Sequence, residues 1–217
     1  MFIASVSGNS GCGKSTLLKA LCTTLKQRHD IDAVVFDESR FHHEHLTRMF
    51  EQPYTWALPI QINFLLQRTI ALLRLQETQP RALLLMERSI EEDELFFSYY
   101  LERGDIQVRM LGPYAQLQSQ FRSRLPPVAC NIYLHGELPA LQARIEQDVA
   151  AGRRPPELTG SLLRSYLEAI DRIYRAWAER KRRATPPTSL WLEGDGVLDV
   201  PNVAATVARA YRESRHA

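Results

Sequence analysis

The chain has 217 residues, 45% of them hydrophobic, with 27 basic and 25 acidic side chains and a formal net charge of +2. So small a positive excess argues against a nucleic-acid-binding surface, and apolar runs far shorter than a bilayer argue against a membrane span. The three cysteines, Cys12, Cys22 and Cys130, have neither the even count nor the spacing of a disulfide framework and fit a reducing compartment, the cytoplasm.

A chain of this length can bury one substantial core, so a single domain over 1–217 is expected. It opens with an apolar run at 2–7 that reads as a strand, which leaves no room for a leader peptide. Next comes Gly8-Asn9-Ser10-Gly11-Cys12-Gly13-Lys14-Ser15-Thr16, which satisfies G-x-x-x-x-G-K-[ST]. The pattern is a phosphate cradle: glycines let successive backbone N–H groups point into one concavity, Lys14 brings a mobile charge to the β and γ phosphates, and Ser15 can ligate Mg²⁺. The helix read at 16–27 presents its N-terminus to the same phosphates. These residues therefore form a binding loop for ATP.

A second strand is read at 33–36, followed by Asp37-Glu38-Ser39-Arg40 and a helix at 41–50. His42, His43 and His45 cluster there, but neighbouring histidines on a helix point apart, and no metal site is expected from them. A long helix is read at 56–76 and a third strand at 82–86, which runs into Glu87-Arg88-Ser89. Helices at 91–103 and 113–125, a strand at 130–135, helices at 138–150 and 160–180, a strand at 189–193 and a helix at 202–212 complete the chain. The pairs Pro126-Pro127, Pro155-Pro156 and Pro186-Pro187 all fall between periodic segments. Five strands alternating with helices imply an α/β fold of the phosphate-loop kinase kind: a five-stranded parallel sheet with helices on both faces.

Ligands of open parallel sheets sit beyond the carboxyl ends of the strands, so the polar residues there are the first candidates. A carboxylate after strand two, Glu38 or its neighbour Asp37, can take the proton of an attacking hydroxyl. Glu87 and Arg88 bring a carboxylate and a guanidinium together, which suits phosphoryl transfer, a reaction that asks mainly for positioning and cations. Arg144, Arg153 and Arg154 lie on or beside a lid at about 150–159 and are placed to close over a triphosphate and exclude water.

In this order, the phosphate loop, Asp-Glu, Glu-Arg-Ser and arginine-bearing lid resemble those of the deoxynucleoside kinase family over nearly the whole chain. The resemblance extends to Asp93 and Phe97 after the triplet, and to Pro53, Trp56, Gln61 and Arg68 on the long helix. It implies that Glu38 is the general base toward a sugar 5′-hydroxyl and that Arg88 holds that hydroxyl and the phosphates. Glu87 and Ser15 share the magnesium. Gln61 makes paired hydrogen bonds to the base, Trp56 and Phe97 belong to its pocket with Phe97 stacking near the ring, and Arg68 with Asp93 reads the base edge. Glu157 matches a lid glutamate that helps hold the 3′-hydroxyl. The sequence departs from the family in three places: Ser39 replaces a proline after the catalytic glutamate, a pocket tryptophan falls near His43, and the tyrosine that contacts the 3′-hydroxyl falls on Phe50, which has no hydroxyl.

The leading expectation is an ATP- and Mg²⁺-dependent kinase of a deoxynucleoside, deoxycytidine or a purine rather than thymidine, acting on small molecules, with no nucleic-acid or membrane partner. The long helices at 56–76 and 91–103 suggest pairing with a second copy. Two other readings stay open: a kinase of nucleoside monophosphates or another small metabolite, and a non-catalytic nucleotide-binding subunit. Lys14, Ser15, Glu87 and Arg88 together argue against the last, because a scaffold has no chemical need for all four.

Overall fold

A computed structural model of the protein describes residues 1–36, 46–183, 190–194 and 198–215. Strand β1 (Phe2–Gly8) is buried along its whole length and forms the centre of a parallel sheet. β3 (Leu83–Glu87) pairs with one edge of β1 and β4 (Val128–Leu134) with the other. β2 (Ala33–Phe36) extends the sheet beyond β3, and β5 (Leu190–Gly194) extends it beyond β4, giving the order β2-β3-β1-β4-β5. The loop after β1 therefore opens at the point where the chain departs in both directions, the usual place for a ligand crevice.

The helices are α1 (Lys14–His29), α2 (Leu46–Glu51), α3 (Pro53–Thr78), α4 (Asp93–Glu102), α5 (Leu111–Arg122), α6 (Leu138–Ala150), α7 (Gly160–Arg183) and α8 (Val200–Ser214), with a 3-10 turn at Val108–Met110. Side chains alternate across the sheet as the period of two requires. Leu84 and Met86 pack with Leu72 of α3, whereas Leu83 and Leu85 join the larger core with Leu18 and Leu21 of α1 and Val207 of α8. Helices thus cover both faces.

Most boundaries match the sequence reading, and the differences have local causes. α3 starts three residues before Trp56, because Pro53 suits the first helical turn, where no N–H partner is needed. α8 starts at Val200, capped by Asp199, whose carboxylate accepts from the Asn202 N–H. α4 begins at Asp93, two residues later than read, because residues 89–92 form a turn closed by Glu92 N–H donating to Ser89 O. α7 buries Leu163, Tyr166, Leu167, Ile170, Tyr174 and Trp177, spacings of three and four that turn one stripe to the core.

Candidate active site

At the end of β1 the chain turns sharply at Gly8, with φ 139°, where a Cβ would lie 2.2 Å from the Leu134 carbonyl oxygen. Only glycine allows so close an approach to β4. Gly13, with φ 93°, leads into α1, whose first turn holds no acidic side chain, so its positive end is unopposed. Lys14 is buried and donates to the Gly8 and Asn9 carbonyls at 3.1 and 2.9 Å, with its Nζ 3.8 Å from Glu87 Oε1. Ser15 Oγ donates to Glu87 Oε2 at 2.8 Å. The register explains the meeting: Glu87 is paired with Val6, two residues before the loop begins. Asn9 serves the loop's own shape, donating to Leu167 O and accepting from the Ser10 N–H, both at 2.8 Å.

A cleft of about 800 Å³ opens from this loop. Ser10, Gly11, Gly13, Lys14, Ser15 and Thr16 line its donor end, whereas Gly8, Asn9 and Cys12 lie behind the surface as loop framework. Arg88, Phe50, Gln61, Asp93, Phe96 and Glu157 line the opposite part. Arg88 follows β3 with φ 60°, a left-handed conformation that costs a non-glycine residue about 1–3 kcal/mol. Its N–H donates to Val6 O at 2.9 Å, and its guanidinium lies 4.4 Å from the Phe96 ring centre. Arg68 meets Asp93 through two hydrogen bonds, Nη2 to Oδ1 at 3.1 Å and Nε to Oδ2 at 3.3 Å, and both side chains are buried. Gln61, just under two turns before Arg68 on α3, donates to Met49 Sδ at 3.9 Å, a weak bond that a better acceptor can replace.

Two residues read as pocket walls stand elsewhere. Phe97 is fully buried and stacks on Tyr114 at 4.0 Å; Phe96, one residue earlier, faces the cleft instead. A single residue on a helix is a rotation of about 100°, enough to exchange core for cleft. Trp56 packs against the core beside Arg48, whose guanidinium lies 5.7 Å from its ring. Glu38, with Asp37, Arg40 and the histidine cluster, lies outside the described residues; the strand leading to it ends at Phe36, paired with Met86, beside Glu87.

The three arginines of the lid region all line the cleft. Arg144 donates to Gly11 O at 3.4 Å, Arg153 pairs with Asp148 at 2.7 Å, and Arg154 pairs with Glu157 at 2.9 Å. Each can exchange its present partner for a phosphate oxygen.

Sequence reading missed several residues here. Met49, Phe64, Tyr100 and Tyr166 line the cleft. Burial, against the pull of Arg88 and Arg154 and with help from Tyr99 and Glu157, pushes the Tyr166 hydroxyl up to about 12, so it is a neutral hydrogen-bonding group. Phe96 and Tyr100 fall three and seven residues after Asp93, and that helical spacing was the available signal. Glu92, fully buried, accepts from Ser7 Oγ and Tyr174 O–H, both at 2.7 Å, and burial pushes its carboxyl above the ordinary range. No periodicity marked it, because both partners are far away in sequence.

A phosphate loop at the sheet's switch point, a hydroxyl and a carboxylate beside it, and a second polar pocket in the same cleft define a nucleotide-dependent phosphotransferase. The sequence model of deoxynucleoside kinase matches residues 4–212, and the chain belongs to that family of ATP-dependent nucleoside kinases. Solved structures similar to it include deoxyadenosine kinase from M. mycoides with the products dCMP and dCDP bound, at TM-score 0.71, 16% identity, and 98% and 100% coverage of the two chains. The same enzyme with dATP bound matches at TM-score 0.71 and 16% identity over 100% of both chains, and with dCTP bound at 0.70, 16%, and 98% and 100%. At such identity these likenesses speak for the fold. No curated protein sequence matched the chain.

Proposed function

We propose that the protein transfers the γ-phosphoryl of ATP to the 5′-hydroxyl of a deoxynucleoside, with deoxycytidine or a purine deoxynucleoside favoured over thymidine. The observation that carries this reading is the buried Arg68–Asp93 pair, in which Asp93 lines, together with Gln61, the cleft that begins at Lys14 and Ser15 while Arg68 backs it from the interior. An amide and a fixed charged pair present donors and acceptors to a base edge, and an analogue that leaves them unpaired is rejected. The similar M. mycoides enzyme binds both a purine and a cytosine deoxynucleotide, which supports the same two classes here.

In this reading the donor triphosphate lies along residues 10–16, with Lys14 released from Gly8 and Asn9 to meet the β and γ oxygens. The Ser15 hydroxyl and Glu87 carboxylate are adjacent hard oxygen ligands, the donor type that suits Mg²⁺. Held by Ser15 and Glu87, Mg²⁺ would supply neutralising charge to the phosphates. Arg88 steadies the transferring group, Glu38 accepts the 5′-hydroxyl proton, and Arg144, Arg153 and Arg154 close the donor side against water. With Phe50 lacking a hydroxyl, Tyr166 beside it and Glu157 supply the polar contacts to the sugar; the Phe50 and Tyr166 rings meet edge-on at 5.7 Å. Such a reaction belongs to nucleotide salvage in the cytoplasm, a setting that the free cysteines fit. Leu66 and Ile70, exposed four residues apart on α3, support pairing with a second copy.

The test is incubation with Mg²⁺-ATP and each of four deoxynucleosides. A monophosphate from deoxycytidine or a purine deoxynucleoside, formed faster than from thymidine, is the expected outcome; no product from any of the four overturns the reading.

A further inference from the structure

The strained backbone at Arg88 needs something to hold it, and the contacts around it close into a ring. Its N–H donates to Val6 O at 2.9 Å, and the next residue, Ser7, donates its hydroxyl to Glu92 at 2.7 Å. The other carboxyl oxygen of Glu92 accepts from Tyr174 O–H at 2.7 Å. Tyr174 meets the Phe96 ring edge-on at 6.2 Å, and Phe96 carries the Arg88 guanidinium at 4.4 Å. Arg88 is thus gripped at its backbone and at its guanidinium by one cycle of contacts. Glu92 is the polar hub of that cycle, fully buried and within the field of both Arg88 and Arg68.

We infer that Glu92 is a positioning residue: through Ser7 and Tyr174 it fixes the phosphate loop, the Arg88 turn and helix α7 in one register, so that Arg88 stays aimed at the transferring phosphoryl. The inference rests on the kinase reading above for what Arg88 does, but not for where it is held. Ser7 is the last residue before Gly8, so the donor loop is tied to the hub directly. α7 follows the arginine-bearing lid, and Asn9 binds its Leu167 carbonyl at 2.8 Å, a second tie between loop and helix. A residue held out of its preferred φ stays there only while the surroundings over-determine it. With the hub loosened, the Arg88 turn relaxes and the guanidinium loses its aim, while the phosphate loop keeps its own bonds, Lys14 to the Gly8 and Asn9 carbonyls and Asn9 to the Leu167 carbonyl.

The test uses the full chain carrying Glu92→Gln, Tyr174→Phe, or Leu25→Ala, the last a core truncation at the far end of α1. For Glu92→Gln, kcat is expected to fall about tenfold or more, with KM for ATP and for nucleoside each within about threefold of the parent. Tyr174→Phe changes kcat in the same sense and less. Leu25→Ala lowers the melting temperature yet keeps kcat at 20 °C within about threefold. In parallel, the Arg88 Nε–Hε resonance, assigned by its loss in Arg88→Lys, shifts in Glu92→Gln and Tyr174→Phe and not in Leu25→Ala. An unmoved resonance, or an activity loss that follows melting temperature in the same proportion as in Leu25→Ala, overturns the inference. If no deoxynucleoside is phosphorylated by the parent protein, the kinase reading fails, and the resonance alone still decides the role of Glu92.

Discussion

Placing a guanidinium and a carboxylate out of water beside a ligand cleft costs solvation that mutual pairing must offset, and Arg68 and Asp93 meet that demand with two hydrogen bonds. Removing one partner strands the other, so Asp93→Ala should lower the unfolding free energy by about 3–5 kcal/mol. Replacing both, as Arg68→Met with Asp93→Leu, should restore most of it while abolishing base preference. Urea unfolding of the three proteins decides this, and a loss well under about 1 kcal/mol in Asp93→Ala would show that the pair is solvated. Glu92 gives a complementary prediction. Burial raises its folded pKa above the unfolded value, against the pull of Ser7, Tyr174, Arg88 and Arg68. Its contribution to stability is therefore fully present below the unfolded pKa and lost as pH rises through the folded one. Glu92→Gln has no such proton to lose. The melting temperature of Glu92→Gln relative to the parent should accordingly rise as pH increases above the ordinary carboxylate range of about 4; a flat difference contradicts it.

At the scale of elements, what could be read from sequence was what is local. Gly8 to Thr16 is contiguous, and its neighbours Phe2 to Ser7 and the following helix declare themselves by composition and period. Glu87 and Arg88 follow a buried strand without interruption, so their place at its carboxyl end follows once the strand is found. Glu92, Tyr166 and Tyr174 are different, because their roles depend on how α7 packs against α4 and β1, which no local pattern encodes. Phe96 and Phe97 fall between these cases: the helix was legible and its rotation was not. The swap has measurable consequences. Phe96 supports Arg88, and a cation–π contact of about 0.5–2 kcal/mol corresponds to a fall in kcat of about 2- to 30-fold for Phe96→Leu. Phe97→Leu instead removes a ring stacked on Tyr114 and should lower the melting temperature with little change in kcat at 20 °C. Equal kinetic effects of the two substitutions would mean that the rotation of α4 in solution is otherwise.

In the whole molecule, α3 connects two surfaces that sequence alone shows only as one amphipathic run. Gln61 and Arg68 are seven residues apart, close to two turns, and both are buried, Gln61 lining the pocket and Arg68 holding Asp93, which lines it too. Leu66 and Ile70 lie on the opposite side, 37% and 48% exposed, where an apolar pair gains by being covered. A second copy pairing there would brace the helix from behind, and since a helix is stiff along its axis the bracing would reach the base pocket. For a 24.9 kDa chain, sedimentation is expected at twice that mass, and Ile70→Lys should shift it toward the single chain. If α3 transmits the bracing, the same substitution raises KM for the nucleoside by more than KM for ATP, because Gln61 and Arg68 ride on that helix and the phosphate loop does not. A parent protein that sediments as one chain at micromolar concentration removes the pairing, and an unchanged nucleoside KM in a dissociated variant removes the coupling while leaving the pairing in place.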